Sequence, residues 1–153
     1  MITYVQGNLL RSSCDVIVHG CNCFVTWGAG IALQIKKEFP LAYEEDRQTR
    51  VGDIHKLGHI QVVPCTGKYV INLYSQYDCG TDMRQLDYGA LGRGLRRVKE
   101  WADLRANWPK IGMPRIGCGL AGGDWDQVSQ LIEGTFSDNP VFIYDYAPPP
   151  RMR

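Results

Sequence analysis

Two short stretches carry most of the residue types able to do chemistry. The first runs from His19-Gly20-Cys21-Asn22 to Trp27-Gly28-Ala29-Gly30-Ile31-Ala32. The second is Pro114-Arg115-Ile116-Gly117-Cys118-Gly119-Leu120-Ala121-Gly122-Gly123-Asp124-Trp125. Each follows a short apolar run and opens into residues at helical spacing. Glycine lets the backbone turn sharply and bring its N–H groups against a ligand. A helix N-terminus adds partial positive charge aimed the same way. Two such loops facing each other suit a pyrophosphate; the alternative for either alone is a tight strand-to-helix turn. Leu33 stands where G-x-G-x-x-G would place its third glycine, and no G-x-x-x-x-G-K-[ST] occurs, which argues against a P-loop triphosphatase.

The candidate reactive side chains each have two readings. His19, at a strand end, suits a general acid, a general base or a phosphoryl acceptor; otherwise it is a histidine satisfied by neighbouring backbone. Asp124 can activate water, or it caps the next helix in a capping box with Gln127. Asn22 can hold ribose hydroxyls or bond its own loop. Trp27 shelters a phosphate or, the better reading, packs under the loop. Cys21, Cys23 and Cys118 lack a positive partner to lower a thiol pKa, which favours packing over nucleophilic roles. Arg115 is the fixed positive charge nearest the second loop in sequence, unless it pairs at the surface. His19, Cys21 and Cys23 form H-x-C-x-C, but the usual zinc spacings are absent, so no metal or cofactor is expected.

The elements that position these residues follow from periodicity. Strands are expected at 2–5, 16–18, 59–63, 69–74, 110–114 and 141–146. Ile31, Ile35 and Phe39 mark a helix stopped by Pro40, and a short polar helix is expected over 42–49. Leu91, Leu95, Val98 and Ala102 trace one helical face; Val128, Leu131, Ile132 and Thr135 trace another. Alternating strands and helices favour an α/β layered fold with a largely parallel sheet.

With 153 residues, 44% hydrophobic and 22% charged, the chain reads as one globular domain over 1–146, with a frayed Pro-rich tail over 147–153. A net charge of +1 argues against bulk electrostatic binding of nucleic acid or anionic membrane. The N-terminus shows no signal-peptide pattern and no apolar run reaches membrane-spanning length. Six cysteines without a secretory signal suit a reduced, cytoplasmic setting. A monomer is expected.

ITYVQGNLL, VIVHGCN, WGAGIALQIKKEFP, MPRIGCGLAGGDW and a closing IYDY, in that order, resemble a macrodomain over about residues 2 to 146. H-x-C-N and W-G-x-G-I-A are similar to the ADP-ribose 1''-phosphate phosphatase branch. G-A-G-I-A and M-P-R-I-G-C-G-L are similar to the terminal ADP-ribose glycohydrolases. The resemblance implies a three-layer α/β/α fold around a mixed, mostly parallel six-stranded sheet, with an ADP-ribose cleft at the strand ends. It implies that Gly28, Ala29, Gly30 and Ile31 line the diphosphate and distal ribose, and that Gly117, Cys118, Gly119, Leu120 and Ala121 cover the other side. Asn8 and Leu9 take the adenine-reading position, where Asp is usual, and Tyr144 flanks the adenine or proximal ribose. Gln76 and Ala121 stand where the glycohydrolases carry Lys and Asp, which disfavours a covalent lysine route. The expected function is hydrolysis of ADP-ribose 1''-phosphate, with His19, Asp124 and Asn22 as the catalytic candidates. The alternatives are removal of ADP-ribose from protein or nucleic acid, and non-catalytic reading of ADP-ribose.

Overall fold

The computed structural model describes residues 1–80 and 83–146. The Pro-rich tail expected over 147–153 lies outside the described residues. Six strands form one sheet: β1 (Ile2–Gln6), β2 (Val16–Cys21), β3 (Ile60–Cys65), β4 (Lys68–Tyr74), β5 (Ile111–Met113) and β6 (Val141–Asp145). Their order is β1-β6-β5-β2-β4-β3. Every neighbouring pair is parallel except the β3–β4 hairpin.

Side chains alternate across a strand, and the alternation here divides the core into two layers. On one face Val16, Val18, Ile71 and Leu73 pack with Ile111, Met113, Val141 and Ile143. They lie under α3 (Tyr88–Asp103) and α4 (Trp125–Thr135). On the other face Ile17, Cys21, Val70 and Tyr74 meet α1 (Gly30–Glu38) and α2 (Pro40–Arg47) through Ile35 and Ala42. This is the expected three-layer α/β/α arrangement. The apolar face read for α3 is buried as expected, and Asp87 caps that helix by accepting from Ala90 N–H at 2.9 Å.

Of the boundaries that differ from the sequence reading, two bear on the site. Pro40 ends α1 and also begins α2, because a proline at a first helical position loses no hydrogen bond. The strand expected to stop at Val18 continues to Cys21, since His19 pairs with Asn72 and Cys21 with Tyr74 in the parallel ladder. Those extra residues carry a buried polar system described below.

The α3 layer sits close on β4. A Cβ on Gly94 would come within 2.5 Å of the Leu73 side chain, which is fully buried and has nowhere to go. Gly94→Ala is therefore expected to cost about 1–3 kcal/mol despite its better helix propensity. A urea-denaturation midpoint equal to that of the parent chain would show that the layers are looser than this.

Candidate functional site

The two glycine loops leave the carboxyl ends of β2 and β5, which are neighbours in the sheet. The loop after β2 leads to α1 on one face, and the loop after β5 leads to α4 on the other. Between them lies a cavity of about 570 Å³. Open α/β sheets bind ligands at such a switch point, and this volume suits a small molecule. The walls include Gly28–Ala32 from one loop and Pro114–Gly117 with Gly119–Ala121 from the other. Gln76, Cys79 and Gly80 close a third side.

Local chemistry shapes each loop. Asn22 Oδ1 accepts from Phe24 N–H at 2.8 Å and its amide reaches Thr26 O at 3.4 Å, so it bonds its own loop. Val25 takes φ 59°, a left-handed conformation costly for a β-branched residue. Gly30 follows at φ 58°. Ala29 caps α1 without a side chain able to accept, and the first turn holds no acid. The early N–H groups of α1 are left for another acceptor, which is the arrangement that receives anions. In the second loop Gly117 sits at φ 73° against Leu86, and Gly123 N–H closes onto Gly117 O at 2.7 Å. Ala121 O accepts from Gln85 and Leu86 N–H, tying this loop to the segment after β4.

Trp27, buried to 4% exposure, joins the first loop to the sheet. Its indole N–H donates to Asp46 Oδ2 at 2.7 Å, and the Tyr74 hydroxyl donates to Asp46 Oδ1 at 2.6 Å. Asp46, on α2, is fully buried. Thr49 Oγ1 donates to Asp46 O at 2.6 Å and accepts from Lys56 Nζ at 2.8 Å. Burial, and then the bond to Asp46, push the Tyr74 hydroxyl pKa strongly upward, so it remains a donor. None of Asp46, Asn72 or Tyr74 was singled out from sequence. The available signal was Trp27 itself, since a buried indole needs an acceptor.

The structure corrects the placement of His19. It is not at the mouth of the cleft: it is fully buried and does not line the cavity. Its Nε2 lies 2.7 Å from Asn72 Oδ1, and its ring meets Trp27 edge-on with centroids 4.9 Å apart. Asn72 Nδ2 donates to Ala42 O and Gln61 Oε1, which fixes the Asn72 oxygen toward the imidazole. Nε2 therefore carries the hydrogen. Burial lowers the His19 pKa to about 4, with the Asn72 bond and Asp46 opposing. A neutral, enclosed ring of this kind supports Trp27 from behind.

Asp124 is exposed and outside the cavity; it caps α4, accepting from Asp126 N–H at 3.0 Å rather than forming the box with Gln127. Of the other expected site residues, Asn22, Gly28, Ala29, Gly30, Ile31, Gly117, Gly119, Leu120 and Ala121 share the cavity wall. Asn8, Leu9, Cys118 and Tyr144 do not. Asn8 Oδ1 is taken by Leu10 N–H at 3.0 Å, Leu9 is core, and the Tyr144 hydroxyl meets Cys14 Sγ at 3.8 Å. Burial raises the thiol pKa of Cys21, Cys23 and Cys118, consistent with packing roles. Arg115 lines the cavity, yet its guanidinium is held by Asp145 at 2.8 and 3.0 Å, between the rings of Tyr4 and Trp125. Among the described residues no group of three His, Cys, Asp or Glu is placed to hold a metal ion.

A three-layer α/β/α domain with a glycine-walled cavity at its switch point is of the class that binds ligands beyond the carboxyl ends of its strands. A family profile for the Macro domain matches residues 18–132, and the chain belongs to the macrodomain family. The chain is 44% identical to an ADP-ribose 1''-phosphate phosphatase of Saccharomyces cerevisiae, over 94% of this chain and 97% of that one. It is 32% identical to the ADP-ribose glycohydrolase OARD1 of Bos taurus, over 95% and 90%. The macrodomain of Mycobacterium tuberculosis DarG superposes with a TM-score of 0.75 at 27% identity, covering 94% and 97%.

The His19 geometry has a measurable consequence. A histidine held neutral when folded titrates near 6.5 when unfolded. Between those values the unfolded chain binds more protons, so stability falls as pH drops from 6.5 toward about 4 and levels off below. The contribution is about 3 kcal/mol at full effect. Denaturant midpoints of the parent and His19→Gln, compared at neutral pH and near the lower limit, should show the parent losing more. Parallel losses would contradict the burial of a neutral His19.

Proposed function

We propose that the cavity binds an ADP-ribose derivative and that the chain hydrolyses the bond to its distal ribose, with ADP-ribose 1''-phosphate as the leading substrate. The observation carrying this reading is the cavity between two glycine loops, with the uncapped start of α1 on its wall. Backbone N–H groups from 28–32 and 117–121 hold the diphosphate, and they stabilise charge developing on the leaving phosphate as an oxyanion hole does. The yeast relative's name supports the phosphatase reading.

The residues that perform the chemistry differ from those expected. Among the described residues, no carboxylate and no imidazole line the cavity. His19 and Asp124 therefore act, on this reading, through structure rather than by proton transfer. The attacking water adds to the phosphorus and gives its proton to a phosphate oxygen of the substrate itself; that proton passes to the 1''-oxygen as the P–O1'' bond breaks, leaving ADP-ribose and inorganic phosphate, while Asn22 shapes the loop around the distal ribose. The second reading is release of ADP-ribose from a macromolecular acceptor; a glycohydrolase activity is what the bovine relative's name carries, and DNA is the acceptor named for a Mycobacterium tuberculosis relative. Gln76 and Ala121 do face the cavity, at the places where the resemblance puts Lys and Asp in glycohydrolases. That geometry leaves no amine for a covalent intermediate there.

A clean test uses Gly119, because a Cβ added there meets no protein atom within 4 Å and its φ is not left-handed. Gly119→Val should retain the parent's melting temperature yet weaken ADP-ribose binding by at least about tenfold, or 1.4 kcal/mol. Isothermal titration measures the affinity, and phosphate release from ADP-ribose 1''-phosphate should fall with it. Unchanged affinity would move the ligand elsewhere. Binding without phosphate release by the parent would leave the de-ADP-ribosylation or reader readings.

A further inference from the structure

A second depression of about 290 Å³ lies on the α1/α2 face, beyond the end of α2 and against β3. It shares no lining residue with the main cavity. Its walls carry Arg50, Lys56, His55 and His59, with Thr49, Gln61 and Tyr74 as neutral polar groups. Asp53 is the one carboxylate in the lining, and its Oδ1 accepts from His55 N–H at 2.9 Å.

Lys56 is the group that the rest of the structure does not account for. It is only 9% exposed. An ammonium has three N–H donors, and here one is used, on Thr49 Oγ1 at 2.8 Å; the charged Nζ also lies over the Tyr74 ring, 5.2 Å from its centroid. Among the described residues no carboxylate oxygen comes within 4.0 Å of Nζ. The buried carboxylate nearby, Asp46, already receives Trp27 and Tyr74 on its two oxygens. A buried cation without a paired anion is costly, and the empty volume beside this one is rimmed by further cationic and polar groups.

We propose that this depression is a second binding site, taking a phosphate group through Lys56 with Arg50, His55 and His59 around it. Phosphate offers several acceptor oxygens to fixed donors, and the volume admits either free phosphate or the phosphate of a small ester. The site is independent of the ADP-ribose reading, since it lies outside that cavity.

The test is a ¹H–¹⁵N titration of the whole chain with inorganic phosphate and, separately, ribose 5-phosphate. The expected result is saturable movement of the Thr49–Gln61 amides, distinguishable by position from any response at Gly28–Ile31 or Gly117–Ala121. Preference for one titrant separates free phosphate from an ester. Lys56→Met should weaken binding at Thr49–Gln61 by at least about tenfold, the effect of losing one charge-assisted hydrogen bond. Should that variant fail to fold, the exposed pair Arg50→Gln with His59→Gln should still weaken it severalfold. Absence of saturable movement at Thr49–Gln61, or equal affinity in the folded variants, would overturn the site and leave Lys56 serving Thr49 and the Tyr74 ring alone.

Discussion

The geometry of the site depends on one buried carboxylate. Asp46 has no contact with water and accepts from an indole, a phenol and, more distantly, a hydroxyl. Those donors come from the loop after β2, from the end of β4 and from the turn after α2. A single side chain thus ties three segments together. Charge in a dry interior is tolerated only when it is fully hydrogen-bonded. A shift of the Trp27 loop would break a bond that the interior cannot replace, so the first wall of the cavity is held in place before any ligand arrives.

That arrangement explains why a histidine next to the site is so enclosed. His19 and Asn72 face each other across the β2–β4 ladder and extend the same polar layer toward Ala42 and Gln61. The layer supports Trp27, and Trp27 supports the glycines. The groups presented to a ligand are mainly backbone N–H, whose positions are set by helix and turn geometry rather than by side-chain identity. On the proposed reading, a site of this construction tolerates Gln76 and Ala121 on its walls, because backbone groups would hold the diphosphate.

Much of this was legible in the sequence because it rests on local rules. The two glycine runs after apolar stretches located the cavity, and the spacing of Leu91, Leu95, Val98 and Ala102 placed α3 on the sheet. What escaped was long-range polar pairing. Asp46 sits in PLAYEEDR beside two other acids, and composition does not say which of them turns inward. Its spacing of four from Ala42, a small apolar residue on the same helical face, was the local hint. His19 is misplaced by ending β2 at Val18; the strand runs three residues further, to Cys21, and carries the imidazole into the core. Asn8, which the resemblance puts at the adenine-reading position, uses its Oδ1 to accept from Leu10 N–H in the turn it begins, a local bond that spacing alone does not reveal. The macrodomain assignment survived these errors because it rested on five segments in order, not on any one side chain.

The most direct test of the account is a crystal structure of the chain with ADP-ribose bound. The account predicts the diphosphate between the two glycine loops, with its oxygens on N–H groups of 28–32 and 117–121. Trp27 should still donate to Asp46, and the loop should stand where it does in the ligand-free chain. A diphosphate bound elsewhere, or a Trp27 swung away from Asp46 to admit it, would contradict the claim that a buried carboxylate holds a preformed cradle.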